Sequence, residues 1–185
     1  MEVLYFIRHG ESQANVDHVW STPCTPLTKR GEQQARDAGQ RARQDGMTFD
    51  AIISSPLPRA RRTAQLLADE LRFPEESIEC LGLLRERDFG PLAGTPGLQL
   101  LGTRDWIYED VDNVPGAEPV SAVQQRAAAA LKYLRSNPGR QLLIVSHGTF
   151  GRALRRVTRN EDWTLEYESD FPSNPIPHCT MTRLI

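Results

Sequence analysis

The chain has 185 residues, with 22 basic and 24 acidic side chains and a formal charge of −2 at neutral pH. That length suits one domain with a substantial core, and the near-balanced charge excludes the basic footprint of a nucleic-acid binder. Apolar residues make up 39%, and no apolar run approaches the length of a membrane span.

The first element is the run Val3-Leu4-Tyr5-Phe6-Ile7, short, aromatic and branched with no polar alternation. It reads as a strand buried on both faces. A polar loop follows from Glu11 to Pro26. Thr28 is placed to cap a helix that runs to about Gln44 and is stopped at Gly46. Ala51-Ile52-Ile53-Ser54 is a second strand. Ser55 and Pro56 fit the cap and first position of a helix with Leu57, Ala60, Ala64, Leu67, Ala68 and Leu71 on one face. Ile78 to Leu83 is expected as a third strand.

The stretch from Pro91 to Glu118 breaks this rhythm with Gly94, Gly97, Gly102 and Gly116, the aromatics Trp106 and Tyr108, and several acids. It is expected to cross the carboxyl edge of the sheet as a lid or specificity segment, inserted in one domain spanning 1–185. Val120, Val123, Ala127, Ala130, Leu131 and Leu134 then mark a helix, stopped by Asn137-Pro138-Gly139. Leu142 to Val145 is another buried strand, ending at Ser146. A helix from Thr149 to about Val157 follows it. The tail, with Pro172, Pro175 and Pro177, is expected to loop before a short strand near Thr180 to Leu184. Strands alternating with helices argue for an α/β fold with a largely parallel sheet.

Two junctions carry chemistry. Arg8-His9-Gly10 closes the first strand, and Ser146-His147-Gly148 closes the late one. Open α/β sheets place their sites at such carboxyl ends, so the two histidines converge if their strands are neighbours. Gly10 would let the backbone turn sharply after His9. A histidine beside an arginine suits nucleophilic attack on a phosphate, because the guanidinium fork matches phosphate oxygens. Phosphoryl transfer through an enzyme histidine also needs a neutral imidazole, cationic donors around the oxygens, and an acid for the leaving alcohol. His9 is the nucleophile candidate. Arg8, Arg59 and His147 are the oxygen-binding candidates, and Glu86 is the acid candidate. Arg61 and Arg62 point around the helix and read as surface charges. His18 and His178 read as surface or structural histidines.

Three cysteines, Cys24, Cys80 and Cys179, show neither metal spacing nor a disulfide framework. The start Met1-Glu2 lacks a basic leader region. Together these point to a reducing, cytoplasmic setting.

Taken in order, these segments resemble the motifs of the histidine phosphatase superfamily, in its phosphoglycerate-mutase-like branch 1. Arg8-His9-Gly10-Glu11-Ser12 with Asn15 is similar to the opening motif, and Leu27-Thr28 through Gly31 to Gln34-Ala35 to the helix that follows. Ser54-Ser55-Pro56-Leu57-Pro58-Arg59-Ala60 with Thr63-Ala64 resembles the second arginine motif, and Glu86 to Gly90 with Gly94 the acid motif. Pro115-Gly116-Ala117-Glu118 resembles a Pro-Gly-Gly-Glu segment, and Ser146-His147-Gly148 the closing motif. Cys24 stands where the family often has an acid, and Leu92-Ala93 where many phosphatases have Trp-Glu.

The resemblance implies a three-layer α/β/α sandwich around a mixed, mostly parallel sheet. It implies a phosphohistidine at His9 and a phosphoryl group held by Arg8, Arg59 and His147. Asn15, Ser12, Gly10 and Gly148 would bind substrate around them. Glu86 would give a proton to the leaving group and then take one from water. No metal and no organic cofactor are implied.

The resulting expectation is a metal-independent phosphomonoester hydrolase acting on a small phosphorylated metabolite. Its partner would be a small-molecule phosphate ester rather than nucleic acid or membrane, and the protein a monomer or homodimer. The first alternative is a cofactor-dependent phosphoglycerate mutase. That pattern has Tyr where Phe89 stands, a lysine shortly after Gly94, and paired arginines where only Arg104 occurs. A phosphohistidine-protein phosphatase is a second alternative, opposed by the presence of Glu86. A catalytically silent phosphate-binding module is a third, opposed by the complete set of candidate groups.

Overall fold

The alternation of buried side chains along each strand decides the layering. The structure is a computed structural model that describes residues 3–96, 113–136, 140–161 and 176–185. Among them, β1 (Val3–Arg8), β2 (Ala51–Ser54), β3 (Glu79–Cys80), β4 (Gln141–Ser146) and β5 (Thr182–Arg183) form one sheet in the order β3-β2-β4-β1-β5. All neighbours are parallel except β5, which runs antiparallel to β1. Leu4, Phe6, Ile53, Leu142 and Ile144 face one way, with α4 (Val120–Arg135) and α5 (Gly148–Arg159) packed over them. Ile7, Ile52, Leu143 and Val145 face the other way, under α2 (Lys29–Gln44) and α3 (Pro58–Leu71). Helices therefore cover both faces, which is why the strands read as unbroken apolar runs. This is the three-layer α/β/α sandwich around a mixed sheet.

The helices follow their sequence signals closely. The Thr28 side chain caps α2 by accepting from the Gly31 N–H at 2.9 Å. The buried face of α2 is built from Gly31, Ala35, Ala38, Gly39 and Ala42, all small. Small residues let its backbone lie close to α3, and a Cβ at Gly39 would stand 2.7 Å from the Cβ of Glu70.

Three local expectations are corrected. The helix after β2 begins at Pro58 with Leu57 as its cap, not at Ser55 and Pro56. The Ser55 hydroxyl is used elsewhere, as described below. The third strand is only Glu79–Cys80, because Gly82–Leu84 winds into a 3-10 turn that buries Leu84 completely. The polar loop before α2 contains a one-turn helix, α1 (Gln13–Val16). Trp106, Tyr108, Arg104, the helix stop at 137–139, and Pro172 and Pro175 lie outside the described residues.

Neighbouring β1 and β4 pair from Val3↔Gln141 to Arg8↔Ser146. The helix after β1 lies on one face and the helix after β4 on the other. Such a reversal opens a crevice beyond the carboxyl ends of the strands.

Candidate active site

The register Arg8↔Ser146 puts His9 and His147 side by side at that crevice, with ring centroids 5.1 Å apart. The His9 Nδ1–H donates to the Gly10 carbonyl at 2.7 Å. A carbonyl can only accept, so the single proton of the neutral ring sits on Nδ1 and Nε2 carries a lone pair. Arg59 Nε donates to that Nε2 at 3.3 Å, and Arg59 Nη1 donates to the Thr22 carbonyl at 3.0 Å. Burial, reinforced by Arg8 and Arg59, holds His9 well below the usual imidazole range. Burial and the same arginines act on His147 in the same direction. Both rings are therefore neutral at neutral pH.

His147 is oriented by a group that sequence reasoning assigned to a helix cap. Its Nε2 lies 2.8 Å from Ser55 Oγ. That oxygen already accepts from the Leu57 N–H, so its own proton is available for Nε2. His147 Nδ1 is a fully buried atom without a hydrogen-bond partner among the described residues. With the ring proton on Nδ1 and Ser55 donating to Nε2, this buried nitrogen beside His9 is able to donate to an anionic oxygen.

Arg8 lies beneath the first turn of α5, with its guanidinium carbon 3.4 Å from where a Cβ at Gly148 would stand. It donates to the Ile176 carbonyl at 3.0 Å. Gly10 does not occupy the left-handed region, so a sharp turn is not its role. A Cβ there would overlap the Gly31 carbonyl, and a Cβ at Gly31 would overlap the Glu11 carbonyl. The two glycines let the start of α2 press against the backbone that follows His9. Ser12 is fully buried, and its N–H and hydroxyl both donate to Asn15 Oδ1, at 3.0 and 2.7 Å. In this geometry Ser12 acts on the position of Asn15.

Glu86 sits at the N-terminus of α5. Its carboxylate accepts from the N–H groups of Arg87, Thr149 and Phe150 at 3.0, 3.2 and 3.0 Å, a favourable place for an anion. Arg126 steadies the loop that carries Glu86. It donates to the carbonyls of Leu83 and Arg85, pairs with Glu118 at 2.7 Å, and lies 5.1 Å from the centroid of the Phe150 ring. Arg87, buried on the same loop, donates to the Glu118 carbonyl. A cleft of about 420 Å³ opens over Arg59 and Glu86, walled by Thr22, Pro23, Phe89 and Ala117. His9 is 3% exposed and does not line this cleft itself; it is joined to it through Arg59, which lines the cleft and bonds His9 Nε2.

The five chemistry-bearing candidates gather at this edge of the sheet, Arg8 and His9 from the end of β1, Arg59 from the first turn of α3, Glu86 from the loop after β3 and His147 from the end of β4. Arg61 and Arg62 are exposed on α3, and Arg62 pairs with Glu32. Ser55, Thr63 and His178 also belong to the site. The sequence carried no signal for His178, because only the return of the tail beside β1 brings it to His9, at 5.6 Å between ring centroids. Among the described residues, no group of three or more His, Cys, Asp or Glu is arranged to hold a metal ion, and no helix is long and apolar enough to cross a membrane.

Residues 4–183 match the sequence pattern of the histidine phosphatase superfamily (branch 1). The chain belongs to this family. Among curated relatives, the probable phosphoglycerate mutase GpmB of Salmonella paratyphi B is 35% identical over 156 residues, covering 78% of this chain and 69% of that protein. Among solved structures, YhfR of Bacillus stearothermophilus superposes with a TM-score of 0.80 at 25% identity, covering 99% of this chain and 90% of the other. The alpha-ribazole phosphatase of Shigella flexneri gives 0.77 at 26%, covering 98% and 89%. Membership of this family and the likeness to a solved phosphatase make the protein a phosphatase enzyme.

Proposed function

We propose that this histidine phosphatase hydrolyses phosphomonoesters of small metabolites through a phosphohistidine on His9, without a metal. The observation that carries the reading is the His9 tautomer, with Nδ1–H tied to Gly10 and a lone pair on Nε2 beside Arg59. In the first step Nε2 attacks phosphorus, the bond from phosphorus to the ester oxygen breaks, and Glu86, entering the step in its protonated form, gives that proton to the departing alkoxide and becomes the carboxylate. Arg8, Arg59 and the Nδ1–H of His147 take the charge on the non-bridging oxygens. Arg59 releases Nε2 as the phosphoryl group arrives. In the second step water attacks phosphorus, the carboxylate of Glu86 takes its proton, and the P–N bond breaks to give phosphate and free His9. Asn15, Gly10 and Gly148 line the phosphate position, and Ser12 holds Asn15.

The segment 91–118 is proposed to set substrate choice. Phe89, Ala93, Gly116 and Ala117, at or near its two ends, line the cleft over Arg59 and Glu86. Replacing 97–112 by a short Gly-Ser linker is expected to change the ranking of phosphomonoesters in a substrate panel. An unchanged ranking would remove this role. A cytoplasmic setting is supported by three free cysteines, two of them exposed.

The mutase reading is favoured by one observation, the resemblance to a relative named as a probable phosphoglycerate mutase. Phe89 at the cleft wall and the sequence Thr95-Pro96 after Gly94 favour hydrolysis. The test is turnover of p-nitrophenyl phosphate by wild type and His9→Ala, each with a chelator. Wild-type turnover that survives chelation and is absent in the variant supports the reading. Interconversion of phosphoglycerates primed by 2,3-bisphosphoglycerate, with no hydrolysis, would replace it by the mutase.

A further inference from the structure

The tail returns to the sheet beside the residues on which the reaction turns. Ile176 accepts from the Arg8 side chain at 3.0 Å, and the Cys179 N–H donates to the Arg8 carbonyl at 3.0 Å. Between them, His178 Nδ1–H donates to the His9 carbonyl at 2.7 Å. From the opposite side, the Gly10 N–H donates to Thr63 Oγ1 at 3.2 Å, and Thr63 in turn donates to the Arg59 carbonyl. The peptide joining His9 to Gly10 is thus pinned at its oxygen by the tail and at its nitrogen by α3. The His9 N–H is held separately by the Ser146 carbonyl at 2.9 Å.

These pins act on the His9 ring through one further bond. The tautomer of that ring is set by the Gly10 carbonyl, the next one along the chain. The bonds at the His9 carbonyl and the Gly10 N–H hold His9 ψ and Gly10 φ, two of the torsions that aim the Gly10 carbonyl at Nδ1. Burial and nearby Arg8 push His178 down to about 4, so its ring is neutral near pH 7 and has a single proton to give. The carbonyl partner places that proton on Nδ1.

We propose that His178 is a positioning residue for the reaction at His9, fixing the His9–Gly10 peptide so that His9 keeps its Nδ1–H tautomer and presents Nε2. The catalytic consequence rests on the phosphohistidine reading above, whereas the tautomer consequence rests on the geometry alone.

The test pairs two readouts on wild type, His178→Phe and His178→Asn. One is long-range 15N–1H correlation NMR of the His9 ring, and the other is steady-state hydrolysis of p-nitrophenyl phosphate. Phe keeps the ring packing and removes the donor, while Asn restores an N–H. In wild type His9 is expected as one Nδ1–H tautomer. In His178→Phe it is expected as an exchanging mixture, with kcat lower by about ten- to a hundredfold and KM within about threefold. His178→Asn is expected to recover most of both. A wild-type tautomer in His178→Phe would overturn the proposal, with or without a loss of kcat. Absence of hydrolysis by wild type would remove the phosphatase reading and leave the NMR readout decisive. If His178→Phe does not fold, His178→Leu removes the same donor with a smaller side chain, and an unchanged His9 tautomer there would overturn the proposal.

Discussion

His9 is neutral and one-sidedly protonated, although a free imidazole would titrate near neutral pH. Burial and two arginines make it so, and the Gly10 carbonyl chooses the nitrogen that keeps the proton. In the proposed reaction Glu86, held by the first amides of α5, serves the leaving alcohol. Glu86→Ala should therefore slow hydrolysis of alkyl phosphates by about 10²–10⁴-fold. The loss on p-nitrophenyl phosphate should be much smaller, since that leaving group needs little protonation. Equal losses on both substrates would remove the acid role. The same buried rings fix the acid side of the stability curve. His9, His147 and His178 are all depressed in the folded state relative to 6.5. Between pH 6.5 and the folded values the unfolded chain binds more protons, so stability is present above about 6.5 and lost as pH falls. For His178 the window runs from 6.5 to about 4 and corresponds to about 3 kcal/mol. The melting temperature should fall over that range, and less steeply in His178→Asn. Parallel curves would show that His178 does not contribute.

At the scale of elements, the contact between the end of β1 and the start of α2 sets how the site is built. Gly10 and Gly31 stand where any Cβ would overlap backbone. Gly31→Ala should cost about 1–3 kcal/mol by overpacking, read as a lower urea midpoint, and should reduce kcat because α2 presses on the backbone that follows His9. A stable, fully active Gly31→Ala would show that this approach can relax freely. The elements themselves were largely legible. Thr28 capped α2 as its side chain implied, and the apolar periods of α3 and α4 matched their buried faces. The third strand was not, because Leu81-Gly82-Leu83-Leu84 has the composition of a strand and only the tertiary burial of Leu84 selects a turn. Ser55 was misread for a similar reason. Its sequence context suits a cap, yet its hydroxyl lies nearer His147 across the sheet edge than any helix N–H it could serve.

For the whole molecule, the decisive feature is topological. Interleaving β4 between β2 and β1 brings the two ends of the sequence together, so that Arg8-His9 and Ser146-His147 become neighbours. The pairing could be anticipated from the repeated strand-end histidines, but the strand order could not be read from periodicity alone. The return of the tail by β5 was visible only as a short strand, and nothing in the residues near Pro177 marked His178 as part of the site. The central claim is that His9 carries the phosphoryl group between the two steps. The most direct measurement is an alkaline quench of the enzyme during turnover of a phosphomonoester, followed by peptide mass spectrometry of the segment containing His9. The account expects a phosphate on His9 that is stable to base, labile to acid and absent from His9→Ala. Steady turnover with no phosphate on His9, or with full activity in His9→Ala, would contradict it.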